Sequence, residues 1–289
     1  MRSLLFVPAD SDRKIAKAMT TDADALILDL EDAVAPANKD SARRIAASVL
    51  SQRERAQVGV RVNAIDTPWF LDDLVAVAPL RPDFVMLPKC SGPDDIVRLC
   101  HHLDLLAAQA GIEADGIGIL PLVTESAAAV QSCDFRGASP RLMGLCFAAE
   151  DLSTDLGIAP RSASGRLRAP LWLARATVLL AAKAAGVMAI DTPYPVPGDI
   201  DGLRRDCAEA AADGFCGKLC IHPEQLAIAN GIFSPDAAEI DWACKVVDAF
   251  EATPGAGVVS LDGIMVDRPH LERARLLLRR AEPLPAPGR

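Results

Sequence analysis

Short apolar runs recur along the chain at intervals typical of strands that alternate with helices. Eight of these runs are rich in Val, Ile, Leu and Phe, and each has the length of one buried strand. The predicted strands are SLLFVP (3–8), ALILDL (25–30), VGVRVN (58–63), DFVMLP (83–88), IGILPLV (117–123), RLMGLCF (141–147), VMAIDT (187–192) and GKLCIH (217–222).

The sequence between most of these runs has helical periodicity. Predicted helices cover 11–19, 41–50, 93–111 ending at Gly111, and 171–186 ending at Gly186. Continuously apolar strands separated by helices indicate a parallel sheet covered by helices. Eight such units favour an α/β fold, a (β/α)₈ TIM barrel, over residues 1–230. A doubly wound sheet is the alternative, but the sequence has neither G-x-G-x-x-G after a strand nor G-x-x-x-x-G-K-[ST].

Residues 231–289 form a predicted C-terminal helical extension. The segment PHLERARLLLRRA (269–281) is its clearest helix, with Pro269 in the first turn. The tail AEPLPAPGR (281–289) is rich in proline and is predicted to be disordered.

Charge and cysteine content narrow the function classes. The net charge of −9 comes without a basic tract that could follow a phosphate backbone, which argues against nucleic acid as a partner. The eight cysteines are scattered without zinc-ligand spacing, as is typical of reduced thiols in a cytoplasmic protein. The N-terminus has a strand pattern and no signal-peptide pattern. The longest apolar tract (169–190) contains Arg175 and Lys183, which predicts a buried helix and strand and argues against a membrane span.

Polar residues are concentrated at the predicted carboxyl ends of the strands, where the active sites of (β/α)₈ barrels lie. For any single residue, an ordinary position in a loop is an equally good interpretation. The strand ends carry Asp29, Glu31 and Asp32; Arg61 and Asn63; Lys89; Glu125; Glu150 and Asp151; Asp191; and His222.

Glu125 and Asp151 are candidate metal ligands. They follow predicted strands 5 and 6, and consecutive strands of a barrel are neighbours, so both carboxylates can reach one point above the rim. Two carboxylates completed by water and substrate are typical of Mg²⁺ sites. The alternatives are a first-turn helix residue for Glu125 and an N-cap for Asp151.

Two cations are candidate substrate-binding residues. Arg61 can grip a carboxylate through two parallel hydrogen bonds, or it can pair with Glu31 or Asp32, and the two roles are compatible. Lys89 is a structural cation among these acids or, alternatively, a Schiff-base lysine.

Several segments together resemble one family. LLFVPA, DALILDLEDAV, VRVN, VMLPK, PLVTE, AEDLSTDLG, GKLCIHPEQL and DGIMVDRPH are similar in type and order to the citrate lyase beta-subunit-like family of the HpcH/HpaI aldolase superfamily. The resemblance covers nearly the whole chain. It implies a Mg²⁺-dependent CoA-ester lyase with a barrel of the phosphoenolpyruvate/pyruvate-binding type.

The same resemblance implies roles for individual residues. Glu125 and Asp151 are expected to bind Mg²⁺, and Arg61 is expected to bind the acid portion of the substrate. Asp267 of MVDRPH is expected to be the catalytic acid/base, supplied by a neighbouring subunit of a homotrimer or hexamer. An N-cap of the following helix is a second role for Asp267, compatible with the first.

The crowded acids Asp29, Glu31 and Asp32 require cations nearby, because buried like charges are costly. We expect them to lie behind the metal ligands and to orient metal-bound water, Arg61 and Lys89, with Glu31, Asp32 and Lys89 also close to the substrate. The alternative is a helix N-terminus that attracts acidic residues.

The expected reaction is retro-Claisen cleavage of a malyl-CoA or citramalyl-CoA type thioester into an acyl-CoA and a 2-oxo acid. Alternatives are a malyl-CoA thioesterase or malate synthase-like enzyme, an aldolase acting on free acids, a citrate lyase subunit acting on an acyl-carrier thioester, and a binding module.

Overall fold

The computed structural model describes residues 1–52 and 57–281. The chain divides into two compact units, Met1–Asn230 and Gly231–Arg289. The predicted disorder of the tail falls on 282–289, which lie outside the described residues. That the second unit packs on a neighbouring subunit stays a prediction.

The first unit is built on eight parallel strands in the order β5-β4-β3-β2-β1-β8-β7-β6, which confirms the predicted (β/α)₈ architecture. All eight predicted runs contain a strand, and seven of the strands are shorter than predicted because residues at one or both ends of each run, including apolar ones such as Leu30, Val123 and Phe147, lie outside the strands. The strands are β1 (Ser3–Pro8), β2 (Ala25–Asp29), β3 (Val58–Arg61), β4 (Phe84–Leu87), β5 (Gly118–Pro121), β6 (Gly144–Cys146), β7 (Met188–Asp191) and β8 (Gly217–Cys220).

Helices connect and cover these strands. The longest two, α4 and α7, end at Gly111 and Gly186, which adopt left-handed backbone conformations that glycine tolerates without steric cost. The helices in this part of the chain are α1 (Asp12–Met19), α2 (Lys39–Gln52), α3 (Phe70–Val77), α4 (Pro93–Ala110), α5 (Ala127–Gln131), α6 (Ala149–Asp155), α7 (Ala169–Ala185), α8 (Ile200–Asp213) and α9 (Leu226–Ile232).

The seam between β5 and β6 closes the barrel through isolated bridges instead of a continuous ladder. Ile119 pairs with Leu142, and Leu122 pairs with Cys146. The predicted strand 141–147 is therefore reduced to Gly144–Cys146. This thin seam lies directly before the segments that carry Glu125 and Asp151.

The barrel interior is filled by buried side chains, and neighbouring strands alternate large and small residues. A Cβ atom on Gly59 would lie only 2.2 Å from the ring of Phe84, so β3 has no side chain where β4 contributes a phenyl ring. The core cluster consists of Leu4, Ala25, Ile27, Phe84, Met86, Leu120, Leu122, Cys146, Ala148, Ile190 and Leu219.

The long apolar tract around Arg175 forms α7 and β7, as predicted. Of its two internal charges, Arg175 is buried in ion pairs with Asp191 and Asp213, and Lys183 is exposed. No described helix is both long enough and apolar enough to span a bilayer.

The second unit contains α10 (Ala237–Glu251), β9 (Val258–Leu261), β10 (Ile264–Asp267) and α11 (Arg268–Ala281). The hairpin β9–β10 was not anticipated by the prediction of a purely helical extension. Its turn is Asp262-Gly263, and both residues have positive φ angles, as a two-residue hairpin turn requires. The Asp-Gly dipeptide between two apolar runs is the signal that could have predicted it. Apolar residues from both helices and β10 form the core of this unit.

Candidate active site

Glu125 has one satisfied and one unsatisfied carboxylate oxygen. It follows β5 and is buried, and its Oε2 accepts a hydrogen bond from the backbone N–H of Lys89. Its Oε1 is also buried, and no hydrogen-bond donor for it exists among the described residues. Burial, and secondly the nearby Asp151, raise the pKa of Glu125 to about 8. A buried oxygen of this kind needs a cation or a donor to offset its desolvation.

Asp151 lies in the first turn of α6, beside Glu125 in one cavity. The interpretation of Asp151 as an N-cap is wrong, since Ala148 occupies that position without a side-chain cap. Two threonines anchor the start of α6: Ala148 N–H donates to Thr124 Oγ1 (3.2 Å), and Ala149 N–H donates to Thr192 Oγ1 (3.1 Å). Asp151 is thereby fixed between the segments that follow β5 and β7.

The cavity that contains both carboxylates has a volume of about 500 Å³. Carboxylates outnumber cations in its lining, and Arg61 is not part of that lining. The charged lining residues are Asp66, Lys89, Asp95, Arg98, Glu125, Asp151 and Asp155.

The residues present fit a divalent cation. Glu125 offers the unpartnered Oε1, and the neighbouring Asp151 carboxylate adds a second hard oxygen ligand. No group of three or more His, Cys, Asp or Glu side chains suited to a metal is found in the described part of the chain. A two-carboxylate site completed by water and substrate is therefore the arrangement that these residues allow, and it is one that Mg²⁺ commonly adopts.

Arg61 and Asp29 form a buried bidentate ion pair. They are direct neighbours in the register of β2 and β3. Arg61 Nε lies 2.8 Å from Asp29 Oδ1 and Nη2 lies 2.6 Å from Oδ2, while Nη1 lies 2.9 Å from Glu31 Oε2. The guanidinium also stacks over Phe6 at 4.7 Å. The expected salt bridge to Glu31 is present, and Asp29 holds two further N–H groups of Arg61.

Lys89 faces Glu31 and Asp32. Its ammonium pairs with Glu31 Oε1 and lies 3.7 Å from Asp32 Oδ2. Burial is the largest single influence on the pKa of Lys89 and lowers it, but Glu31, Glu125 and Asp32 together outweigh burial, so the net shift is upward. A protonated amine is not a nucleophile, which disfavours the Schiff-base alternative.

The backbone of Lys89 is itself unusual. Its φ of 51° places a non-glycine residue in the left-handed region, which is a strained conformation. This conformation accompanies the contact between the Lys89 N–H and Glu125.

Lys39 is a second buried cation, and it supports the loop that carries Glu31 and Asp32 after β2 (the acidic loop). It was not identified from the sequence. Its Nζ donates to the carbonyl oxygens of Leu30 (2.6 Å) and Glu31 (2.8 Å) and to Asn63 Oδ1 (2.7 Å). Burial lowers the pKa of Lys39. Asn63 in turn donates to Asp73 Oδ2 (2.6 Å). The Lys39 ammonium thus stabilises the backbone of the acidic loop, which helps to explain how three acids can lie close together there.

Burial also raises the pKa of Glu31, although Arg61 and Lys89 act in the opposite direction. Asp32, by contrast, is exposed. The sequence offered no spacing signal for Lys39, because it lies in the helix after the loop.

Asp191 and His222 have structural contacts. Asp191 accepts from Arg175 Nε (2.8 Å) and from the fully buried Lys218 Nζ (2.6 Å), and Lys218 also donates to Asp206 (2.7 Å). His222 caps the turn Pro223–Gln225 by accepting from the backbone N–H of Glu224. Neither residue lines the cavity of Glu125 and Asp151.

Asp267 belongs to the second unit and pairs there with His270. Asp267 Oδ1 lies 2.5 Å from His270 Nδ1, and His270 lowers the pKa of Asp267. The backbone N–H of His270 also approaches Asp267 Oδ1 (3.4 Å), which is the capping contact predicted for the start of α11. His270 was missed as a partner, although its position three residues later on a helix is a usable signal.

The fold and site define a parallel (β/α)₈ barrel with an acidic cavity at the carboxyl ends of its strands. The model of the HpcH/HpaI aldolase/citrate lyase family matches residues 2–223. The chain belongs to this family, and the resemblance inferred from its motifs is confirmed.

Individual relatives agree with this assignment. The citrate lyase subunit beta of Escherichia coli is 36% identical over 285 residues, covering 97% of this chain and 93% of the relative. A (3S)-malyl-CoA thioesterase of Cereibacter sphaeroides is 38% identical over 294 residues, covering 99% and 96% respectively. The crystal structure of protein CitE from Mycobacterium tuberculosis, in complex with magnesium, acetoacetate and coenzyme A, has a TM-score of 0.77 and 32% identity. It covers 97% of this chain, and the match includes 99% of that chain.

Proposed function

We propose that this protein is a Mg²⁺-dependent carbon–carbon lyase. It cleaves a hydroxyacyl-CoA of the malyl-CoA or citramalyl-CoA type into an acyl-CoA and a 2-oxo acid. The observation that carries this proposal is the Glu125 carboxylate, with one buried oxygen unpartnered beside Asp151. Family membership and the magnesium, acetoacetate and coenzyme A bound to the related CitE structure support it.

Glu125 and Asp151 hold the cation in this proposal. Mg²⁺ supplies a positive charge that polarises oxygens of the acid half of the substrate. Glu125 releases its proton when the site is loaded, and both carboxylates then offset the charge of the ion. The Lys89 N–H keeps Glu125 Oε2 occupied, so that Oε1 is the oxygen left without a partner to bind the cation.

Arg61 binds the acid portion of the substrate, and Lys89, Glu31 and Asp32 lie beside it. The guanidinium is held rigid by two hydrogen bonds to Asp29 and by the ion pair with Glu31, which fixes its orientation for a substrate carboxylate. Asp29, Glu31 and Asp32 keep Arg61 and Lys89 charged and oriented.

Asp267 serves as the acid/base, supplied by a neighbouring subunit. In the cleavage direction the Asp267 carboxylate accepts the hydroxyl proton, the carbon–carbon bond breaks as the carbonyl of the 2-oxo acid forms, and Asp267 then delivers this proton to the carbon of the thioester enolate. In the reverse direction it removes a proton from the acyl-CoA methyl group and returns it to the new hydroxyl oxygen. His270 Nδ1 lies 2.5 Å from Asp267 Oδ1, so the imidazole orients the carboxylate that exchanges the proton.

The CoA portion fits a second cavity of the first unit, with a volume of about 610 Å³. Arg13, Lys14 and Lys17 line it and supply charge for phosphates. Phe6 and Ile221 add apolar surface. Cationic groups beside apolar surface suit a nucleotide-containing thioester.

Assembly as a homotrimer or hexamer is part of this proposal. The hairpin of the second unit exposes Val258, Ile264 and Met265, each more than half accessible, and these residues offer an apolar surface to a neighbouring subunit. All eight cysteines are free, which supports a cytoplasmic location.

Two other activities are favoured by specific relatives. The (3S)-malyl-CoA thioesterase favours a reaction that water completes with release of free CoA. The citrate lyase subunit beta favours an acyl-carrier thioester as substrate inside a complex. Both use the same carboxylate pair and differ in the fate or the carrier of the thioester.

The deciding experiment is a substrate panel of malyl-, methylmalyl-, citramalyl- and citryl-CoA, assayed with Mg²⁺ and with EDTA. We expect a metal-dependent release of 2-oxo acid and acyl-CoA from one member, with no release by Glu125→Gln. Free CoA in place of acyl-CoA would establish the thioesterase. If no CoA ester releases 2-oxo acid but the carrier-protein thioester is cleaved, the complex-dependent role is established.

A further inference from the structure

Two segments carry the candidate metal ligands, and a second hydrogen bond joins them besides the one from Ala148 N–H to Thr124 Oγ1. Asp155 Oδ2 accepts a hydrogen bond of 2.7 Å from the backbone N–H of Ala127. Asp155 is four residues after Asp151 on α6, and Ala127 is two residues after Glu125. The bond therefore links the segment after β6 to the segment after β5, across the barrel seam that has only isolated bridges.

The position of Asp155 within its own helix is unfavourable. Asp155 is the last residue of α6, where the helix dipole disfavours a negative charge. Residues four apart lie on one helix face, so Asp151 and Asp155 project the same way, and both line the cavity with Glu125. A contact outside the helix explains an acid at this position.

Capping of α5 does not require Asp155. Ser126 is the N-cap of α5, and its side chain accepts from the backbone N–H of Ala129 (3.2 Å). The N–H of Ala127, at the first position of α5, has no partner within that helix. It donates instead to Asp155 at the end of α6.

We propose that Asp155 is a positioning residue that fixes the spacing between Glu125 and Asp151 for a small divalent cation. This inference rests on the proposed function of that carboxylate pair. Mg²⁺ demands near-octahedral geometry at short distances, whereas Ca²⁺ accepts longer and more variable ones. A looser pair therefore loses more affinity for Mg²⁺ than for Ca²⁺.

The test is calorimetric titration of the full chain with Mg²⁺ alone and with Ca²⁺ alone. Asp155→Ala is expected to weaken Mg²⁺ binding about tenfold and Ca²⁺ binding by less, as loss of a residue that supports a metal ligand does. Asp155→Asn keeps an acceptor oxygen and is expected to restore Mg²⁺ affinity to within about threefold of the natural chain.

Asp236→Ala is the matched control. Asp236 also accepts a backbone N–H, from Glu239 at 2.8 Å, but it caps α10 in the second unit. The control is expected to lower thermal stability as much as Asp155→Ala without changing either metal affinity.

Unchanged Mg²⁺ affinity in Asp155→Ala would overturn the inference, and so would an equal loss in Asp155→Asn. Glu125→Gln and Asp151→Asn separate this failure from failure of the proposed function. If both of these variants lose Mg²⁺ binding while Asp155→Ala keeps it, only the positioning role falls. If neither loses it, the metal site and the positioning role both fall.

Discussion

Arg61 holds Asp29 through two parallel hydrogen bonds of 2.8 and 2.6 Å, across neighbouring strands of the barrel. A third N–H group of Arg61 approaches Glu31. The acids that crowd the end of β2 are thus anchored to a cation on the adjacent strand. The same anchoring leaves Arg61 rigid, as recognition of a substrate carboxylate requires.

Replacing Arg61 separates its structural role from its binding role. Arg61→Lys keeps the charge but loses the planar fork, so we expect KM for the thioester to rise at least about tenfold while folding is retained. Arg61→Ala leaves the buried Asp29 carboxylate without its paired cation and leaves Glu31 with Lys89 alone, so it should lower the free energy of unfolding by about 3–5 kcal/mol. Steady-state kinetics and urea unfolding measure the two effects. An Arg61→Ala chain as stable as the natural one would contradict the structural role.

Metal binding and proton transfer should separate in two Asp→Asn variants. Asp151→Asn removes a charged ligand, so Mg²⁺ affinity and turnover are expected to fall together. Asp267→Asn cannot exchange a proton, so turnover is expected to fall about 100-fold or more while Mg²⁺ affinity is unchanged. Calorimetry with Mg²⁺ and release of 2-oxo acid are the measurements. Full activity of Asp267→Asn would remove its assignment as acid/base.

The stability of the metal-free protein should depend on pH through Glu125. Burial and Asp151 raise its pKa from 4.5 to about 8, so between these values the folded chain keeps a proton that the unfolded chain has released. The free energy of unfolding therefore falls as pH rises through this window, and the contribution is lost above the folded pKa.

Glu125→Gln should remove this part of the pH dependence. Urea unfolding in EDTA, at about pH 5.5 and about pH 8.5, compares the two chains. Mg²⁺ should also bind more tightly as pH rises toward 8, since binding displaces the proton. If the free energy of unfolding changes equally with pH in the natural chain and in Glu125→Gln, Glu125 is already ionised without metal.

Lys218 should matter for stability and not for metal binding. It is fully buried and bonds Asp191 and Asp206 at 2.6 and 2.7 Å. Lys218→Met removes one of the two cations that pair with each of these acids, and we expect a loss of about 3–5 kcal/mol in the free energy of unfolding because the remaining arginines offset the buried charges only in part. Lys245→Met is the control, because its pair with Asp241 is exposed and such pairs contribute about 0–1 kcal/mol. A change in Mg²⁺ affinity in Lys218→Met would contradict the structural assignment of Asp191.

The eight strands and the barrel could be predicted from sequence because each strand is a continuous apolar run, buried on both faces. The closeness of Glu125 to Asp151 could be predicted from the same pattern, since residues that follow consecutive strands meet at one rim of the barrel. Their roles, with those of Arg61 and Asp267, stay predictions. The hairpin at Asp262-Gly263 was predictable from its turn residues but was not anticipated.

What the sequence by itself determined is the order of strands and helices and the family, because apolar periodicity and motif order are properties of the chain alone. Only the tertiary structure decided which charges meet. Asp29 is 32 residues from Arg61 along the chain, and the register of β2 and β3 makes them neighbours. Asp191 is 27 residues from Lys218, and the register of β7 and β8 does the same for them. The contacts of Lys39 and Asp155 likewise depend on helices packing against loops. The orphaned oxygen of Glu125 exists only because folding buries it without a donor.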